Sequence, residues 1–331
     1  MDKFKNFIGI DISKEYFDTF LLLENGICVH NQFSNTNKGV KDFLKWFKKE
    51  NALIEDTLIC MEHTGMYGKL LSSLLVAQNC NLWIEMSFRI IRSMGIQRGK
   101  NDKIDSQRIA HYAFRNQDQA ILFKAPKKSL EKIRALLSLR EKLVVFRASL
   151  VRNTNELASF DKEICSITKK HQILTVKGIN ADIKKIEKEL EDLILQDKET
   201  ESIYNNVISV PGVGKITALF LICFTNSFTT FETPRELACY CGVVPFEYTS
   251  GKSVRAKPKV HYMANKKLKK QLHMCALSSI MHNVEMKSYF NRKVEEGKNK
   301  MLVINNVRNK IIHIICACVR DNRVYQVRQS A

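Results

Sequence analysis

The sequence predicts an N-terminal α/β domain, a helical connector and a mainly helical C-terminal domain. Short apolar runs and helix-spaced apolar positions alternate over the first 125 residues. Leucines then recur every seventh residue from Leu136 to Leu157. Beyond residue 203 the pattern changes again, to glycine- and proline-marked turns and a closing apolar helix. These shifts place the boundaries at 1–125, 126–202 and 203–331.

Within the first segment, Phe7-Ile8-Gly9-Ile10 is a short apolar strand ending at Asp11. Tyr16 to Leu23 and Ile27 to Phe33 follow as two strands joined by Glu24-Asn25-Gly26, a hairpin signal. Val40, Phe43, Leu44 and Phe47 have the spacing of a helix face. Leu58-Ile59-Cys60-Met61 is a fourth strand ending at Glu62, a helix covers Leu70 to Val76, and Leu82-Trp83-Ile84 is a fifth strand. A further helix opens near Asp102 and runs to about Phe114. Three strands, helix, strand, helix, strand, helix is the RNase H-like order.

In the middle segment Leu136, Leu143, Leu150 and Leu157 form one row of a heptad seam, with Leu139, Phe146, Asn153 and Phe160 three places on. A second seam runs through Ile179, Ile183, Ile186, Leu190 and Leu193, and Lys177-Gly178 offers a break between the two. The pattern fits a helical hairpin or coiled coil that dimerises, and equally two amphipathic helices packed on their own domain. Farther on, Pro211-Gly212-Val213-Gly214-Lys215 has the look of a phosphate loop but lacks its pattern. Ser209 stands where the first glycine belongs, and Ile216 where Ser or Thr belongs. A helix–hairpin–helix turn or a plain tight turn remains. Residues 242–258 read as a Gly- and Pro-containing loop, and Ile304, Val307, Ile311 and Ile315 as one face of a last helix.

Charge narrows the partners. With 53 Lys+Arg against 34 Asp+Glu the chain carries +19 at pH 7, the balance of a protein that meets a polyanion. The cations are spread over several segments rather than one amphipathic helix, which favours nucleic acid over a membrane surface. No run of about 18 consecutive apolar residues and no signal peptide is read, so a cytoplasmic, nucleoid-associated protein is expected. Ten cysteines without C-x-x-C or Cys/His spacing read as buried thiols rather than a zinc site.

Four carboxylates fall at element ends. Asp11 closes the first strand, Glu62 the fourth, and Asp102 and Asp105 share one face at a helix start. Brought together they would repel one another unless cations were held between them. Two Mg²⁺ ions about 3.5–4 Å apart would turn them into a clamp for phosphodiester chemistry. Each acid alone could equally be a solvated turn or helix-start residue. His63, beside Glu62, points to the other face of an extended segment and reads as packing; His273, His282 and His313 read as core or surface residues.

The runs Gly9-Ile10-Asp11-Ile12-Ser13-Lys14, Met61-Glu62-His63-Thr64-Gly65-Met66-Tyr67 and Lys100-Asn101-Asp102-Lys103-Ile104-Asp105-Ser106 resemble the three acidic motifs of the IS110-type insertion-sequence transposases, relatives of the Piv invertases. The resemblance extends over nearly the whole chain apart from the helical middle. It implies a RuvC-like N-terminal domain whose D-E-D-D metal centre would be Asp11, Glu62, Asp102 and Asp105. It also implies a guide RNA and assembly as a dimer or tetramer. Cys241-Gly242-Val243-Val244-Pro245-Phe246-Glu247-Tyr248-Thr249-Ser250-Gly251-Lys252-Ser253 resembles the family's second domain, where a serine before glycine attacks DNA; the matching residue is Ser250, with Ser253 as the rival hydroxyl. No good base lies nearby in sequence, which fits activation by the ions of the acidic centre.

From Lys252 to Lys270 the chain has eight cations, Lys252, Arg255, Lys257, Lys259, Lys266, Lys267, Lys269 and Lys270, and no acid. With His261 and Tyr262 interleaved, this reads as a phosphate track or as a solvated face. The sequence departs from the family at Ala264, Lys267 and Lys270, and at Met86-Ser87, where Asn-Pro is common. The expected function is RNA-guided recombination of double-stranded DNA through a phosphoserine. The alternatives are a RuvC-like Mg²⁺-dependent nuclease without serine chemistry and a non-catalytic nucleic-acid-binding protein.

Overall fold

Alternation of side chains builds the first sheet. A computed structural model describes residues 4–50, 52–93, 95, 101–250 and 254–326, and the chain divides into two compact units, Met1–Ala125 and Pro126–Ala331. In the first, β1 (Asn6–Ile12), β2 (Tyr16–Leu22), β3 (Cys28–Ser34), β4 (Thr57–Glu62) and β5 (Asn81–Glu85) lie in the order β3-β2-β1-β4-β5. β1 pairs antiparallel with β2 and parallel with β4, and β4 pairs parallel with β5. This is a mixed, RNase H-like sheet with helices on both faces.

Even-numbered residues of β1 face one layer. Ile8, Ile10 and Ile12 share a core with Val40, Phe43 and Phe47 of α1 (Asn37–Lys49) and with Leu71 and Leu75 of α2 (Gly68–Ala77). On the opposite face Phe7, Leu58, Cys60 and Trp83 pack on Ile90 of α3 (Ser87–Ser93) and on Ile109, Tyr112 and Ala113 of α4 (Asp102–Arg115). The short α3 is an element the periodicity does not reveal. α1 starts at Thr36, whose side chain accepts from the Gly39 N–H, and α4 starts at Asn101, which accepts from Lys103 N–H.

Gly9 decides how closely α4 approaches. A Cβ on Gly9 would stand 2.1 Å from the Ser106 carbonyl oxygen and 2.2 Å from the Ala110 nitrogen, both backbone. At one end of the same line Phe7 meets Phe114 edge-on. α4 therefore runs back along β1, and its first turn, with Asp102 and Asp105, comes to the Asp11 end of the strand.

The second unit is helical. α5 (Lys128–Leu157) and α6 (Lys162–Leu195) form an antiparallel hairpin, tied by Arg140 to Glu187, Arg147 to Asn180 and Gln172 to Thr154. The break expected at Lys177-Gly178 is not there. α6 runs straight through Gly178, and the turn lies at 158–161, where the Asp161 side chain accepts from Glu163 and Ile164 N–H and starts the helix. A single glycine lowers helix propensity without forcing an end, whereas a cap defines one. Of the heptad rows, Leu136, Leu143, Leu150 and Leu157 are half-buried, and Leu139, Phe146, Asn153 and Phe160 are exposed.

The bases of both long helices enter one core with α7 (Lys198–Ile208), α8 (Lys215–Phe224), α9 (Pro234–Tyr240), α10 (Lys266–His282), α11 (Val284–Glu295) and α12 (Lys300–Arg320). The Pro211–Gly214 segment is a turn between α7 and α8, and Gly212, at φ +89°, lies so close to α10 that a Cβ would meet the Cys275 carbonyl at 2.6 Å. The expected loop at 242–258 holds a hairpin, β6 (Phe246–Ser250) paired antiparallel with β7 (Val254–Lys259). Phe246-Glu247-Tyr248-Thr249 carries the two-residue alternation that signals a strand, and Pro258 is tolerated because β7 is an edge. α12 is long and apolar enough to cross a membrane. Its Ile304, Val307, Ile311, Ile312 and Ile315 are instead buried in this core.

Gly9→Ala should destabilise the protein by about 3 kcal/mol, because backbone rather than a yielding side chain blocks the added methyl. Denaturant unfolding measures this; a midpoint equal to the wild type's would show that α4 does not depend on the bare Cα.

Candidate active site

The pairing register sets four acids in a row across the sheet. Asp11 pairs with Asp18 of β2, and Glu62 pairs with Glu85 of β5. Ile10 pairs with Met61, so one step further Asp11 stands beside Glu62. All four face the α4 side, since Gly9, two residues before Asp11, touches α4 and Cys60, two before Glu62, packs against it.

The outer two are internally satisfied. Asp18 is buried and accepts from Gln32 Nε2 at 2.9 Å, with His30 Nε2 also at 2.9 Å. Glu85, 5% exposed, accepts from the Tyr112 hydroxyl at 3.2 Å, from Arg89 Nη1 at 3.4 Å and from Met86 N–H at 2.7 Å. The inner two face the first turn of α4. Asp11 is half-buried, and its pKa is pushed from an ordinary 3.8 to about 6, chiefly by burial and then by the charges of Asp102, Asp105 and Glu62. The structure thus brings together the four carboxylates singled out in the sequence. Asp102 is exposed and Asp105 half-buried, both in the helix turn where N–H groups and the dipole favour negative charge.

Local partners hold two of these acids. The Ser87 hydroxyl donates to Glu62 Oε1, and Arg108 Nη1 donates to Asp105 Oδ1 at 2.7 Å. Among the described residues no three His, Cys, Asp or Glu side chains are gathered at metal-holding distances. The donor set nevertheless fits a hard divalent cation. It is all oxygen, it sits at one sheet edge, and the charge crowding felt by Asp11 is what a cation relieves. His63 is exposed, a departure from the packing role expected of it, and its N–H donates to the Glu85 carbonyl.

In the second unit Ser250 ends β6, opposite Val254. Lys252 and Ser253 lie outside the described residues, as does Lys100 of the third acidic motif; Ser250, Arg255 and Lys257 are described by their backbone alone. Lys259, Lys266, Lys267 and Lys270 are exposed and Lys269 is half-buried, while Lys267 pairs with Glu141 of α5. Lys266, Lys267, Lys269 and Lys270 crowd the start of α10, which has no acid in its first turn. Cations there oppose the helix dipole, so they serve something other than helix stability.

A family model described as a transposase, of the DEDD IS110 type, matches residues 8–166. A second, described as the transposase IS116/IS110/IS902 family, matches 204–291. The chain belongs to this family of transposases. It is similar to the pilin gene-inverting protein of Moraxella bovis, 24% identical over 328 residues and 98% of each chain. It is also similar to the transposase for insertion sequence element IS1111A of Coxiella burnetii, 25% identical over 182 residues, 47% of this chain and 48% of that one. A transposase of this kind is a DNA transposition and recombination enzyme, and its DEDD domain points to divalent-metal use.

Sequence reading missed Asp18, Glu85, Ser87 and Arg108. Glu85 had a usable signal: it ends β5 as Glu62 ends β4. Arg108 also had one, since it stands three residues after Asp105 on one helix face; Ser87 had none, because its partner Glu62 comes from tertiary packing.

The pKa of Asp11 sets the sign of a pH effect on the metal-free transposase. A carboxyl whose folded pKa lies above its unfolded value contributes stability below 3.8 that is lost as pH rises through about 6. With divalent metal chelated, the melting temperature should therefore fall over that window. Asp11→Asn should flatten the fall and raise the melting temperature at pH 7.5. An unchanged profile in Asp11→Asn would mean that Asp11 is not the crowded group.

Proposed function

We propose that this transposase is an RNA-guided DNA recombinase of an insertion sequence, working through Mg²⁺ at Asp11, Glu62, Asp102 and Asp105 and a phosphoserine at Ser250. The observation that carries the reading is the crowding of Asp11 by Glu62 at the end of β4 and by Asp102 and Asp105 in the first turn of α4. The carboxylates would hold two ions, which supply Lewis-acid stabilisation of charge on a phosphate. Ser250 Oγ would attack phosphorus. One phosphorus–oxygen bond to deoxyribose breaks as the bond to serine forms, and a DNA hydroxyl later reverses the exchange. The number of phosphoester bonds is conserved, so no ATP is required.

Several features support the partners. The +19 charge and the cations Lys252, Arg255, Lys257, Lys259, Lys266, Lys267, Lys269 and Lys270 suit double-stranded DNA and a structured guide RNA. Exposed Phe146, Phe160, Ile167 and Leu174 on the α5–α6 hairpin support assembly as a dimer or tetramer through residues 126–202, in the role of connector. Residues 1–125 and 203–331 would then be the acidic and serine domains. The relative that inverts a pilin gene and the relative that moves an insertion element both fit work on chromosomal DNA, at the nucleoid.

Incubation with cognate DNA, Mg²⁺ and RNA should trap a protein–DNA adduct on denaturing gels. Ser250→Ala should abolish it while non-covalent binding persists, and Ser253→Ala should weaken it at most. Asp11→Asn, Glu62→Gln, Asp102→Asn and Asp105→Asn should each lower the recombination rate by at least about 10²-fold. Clean cleavage by Ser250→Ala with no adduct would leave a metal-dependent nuclease that activates water.

Neutralising Lys257, Lys259, Lys266 and Lys267 together should lower the slope of log K against log[salt] by roughly 2–4 units. A slope equal to the wild type's would reduce the run to a solvated face.

A further inference from the structure

Arg308 is a buried cation with no counter-charge among the described residues. It lies on α12 with 6% of its surface exposed. Its Nη2 donates to His273 Nδ1 at 2.6 Å and its Nη1 to Asn305 Oδ1 at 3.4 Å, while its buried Nε has no partner. Among the described residues no carboxylate forms an ion pair with it, and neither α10 nor α12 contains an Asp or Glu. Burial alone lowers its pKa, with no anion to oppose the shift. A guanidinium still holds its charge under such a shift. A buried charge without an ionic partner is costly, and a neutral residue could join α10 to α12 without that cost.

The two hydrogen-bond partners of Arg308, His273 and Asn305, carry no negative charge. Lys269 lies one turn before His273 on α10, and its Cδ would be 3.4 Å from a Cβ placed on Gly242. Asn305 Nδ2 donates to the Val243 carbonyl at 2.7 Å. The cluster therefore sits beside Gly242-Val243, the segment that leads into β6. His273 uses its Nδ1 lone pair to accept from Arg308, which puts its hydrogen on Nε2 and makes that atom a donor. Burial and the Arg308 charge both lower the His273 pKa and keep the ring neutral. Lys269 and His273 are half-buried, so the accessible side of the cluster is theirs.

We propose that Lys269, His273 and Arg308 form a phosphate-binding notch that takes a phosphodiester of bound nucleic acid, with Arg308 supplying the charge behind it. A phosphodiester is the anion that matches an ammonium, an imidazole N–H and a guanidinium together. The notch needs only a nucleic-acid partner, so it stands or falls independently of the metal and serine chemistry.

The test uses the full chain, and equal lengths of duplex DNA and structured RNA, each titrated over a salt series. Arg308→Met keeps the volume and removes the charge. It should leave the free protein as stable as the wild type or more so, weaken binding roughly tenfold, and lower the slope of log K against log[salt] by about one unit. His273→Ala should weaken binding severalfold without changing the slope, since the ring is neutral. The DNA and RNA series show which polymer supplies the phosphate. A less stable Arg308→Met protein with an unchanged slope on both polymers would make Arg308 a structural tie and overturn the proposal. If that variant does not fold, the wild type still decides: the NMR signal of the Arg308 Nε–H should shift, and its hydrogen exchange slow, on adding the polymer. A signal that neither polymer moves overturns the proposal equally.

Discussion

The close contact of α4 with β1 over Gly9 organises the acidic face. Any side chain at that position would push the helix outward, because the opposing atoms are the Ser106 carbonyl and the Ala110 nitrogen. With the helix pressed against the strand, its capped first turn falls at the height of Asp11 and Glu62. Asp102 and Asp105 are then placed by a rigid helix rather than by a loop. The fold supplies the convergence, and the acids are carried to it.

That convergence has a local electrostatic structure. Across the strands Asp18, Asp11, Glu62 and Glu85 form a row, and the outer members are saturated by His30, Gln32, Tyr112, Arg89 and a backbone N–H. Of the inner pair, Glu62 accepts from the Ser87 hydroxyl, and Asp11 takes the charge of the helix start. Desolvation and like charge act together on Asp11, which sits between the two groups. The second unit shows the opposite sign: Arg308, Lys269 and the lysines of α10 gather positive charge where the helices carry no acid. The chain thus places crowded anions in one unit and crowded cations in the other.

Much of this was legible in the sequence. The five strands follow from two-residue alternation and short apolar runs, and Asp11, Glu62, Asp102 and Asp105 follow from their positions at element ends. The β6–β7 hairpin is harder to read, because the alternation of Phe246-Glu247-Tyr248-Thr249 is short and β7 is mostly basic and holds a proline. The hairpin break was misplaced because Gly178 is a weaker signal than the Asp161 cap. Ser87 and Arg308 were invisible for another reason. Each matters through a partner 25 or 35 residues away, and only packing says which such pairs meet.

The hydrogen bonds of Ser87 and Arg108 have a consequence for the order of events in the life of the chain. Glu62 leans on a hydroxyl, Asp105 on a guanidinium, Asp102 on a helix start, and Asp11 readily keeps a proton. Each acid has a stand-in for a cation, so folding does not have to wait for one. An incoming ion would have to evict a proton and loosen two internal partners before it could sit. The acidic face therefore folds with its charges answered locally, and any cation taken there would compete with these internal partners and with the proton on Asp11.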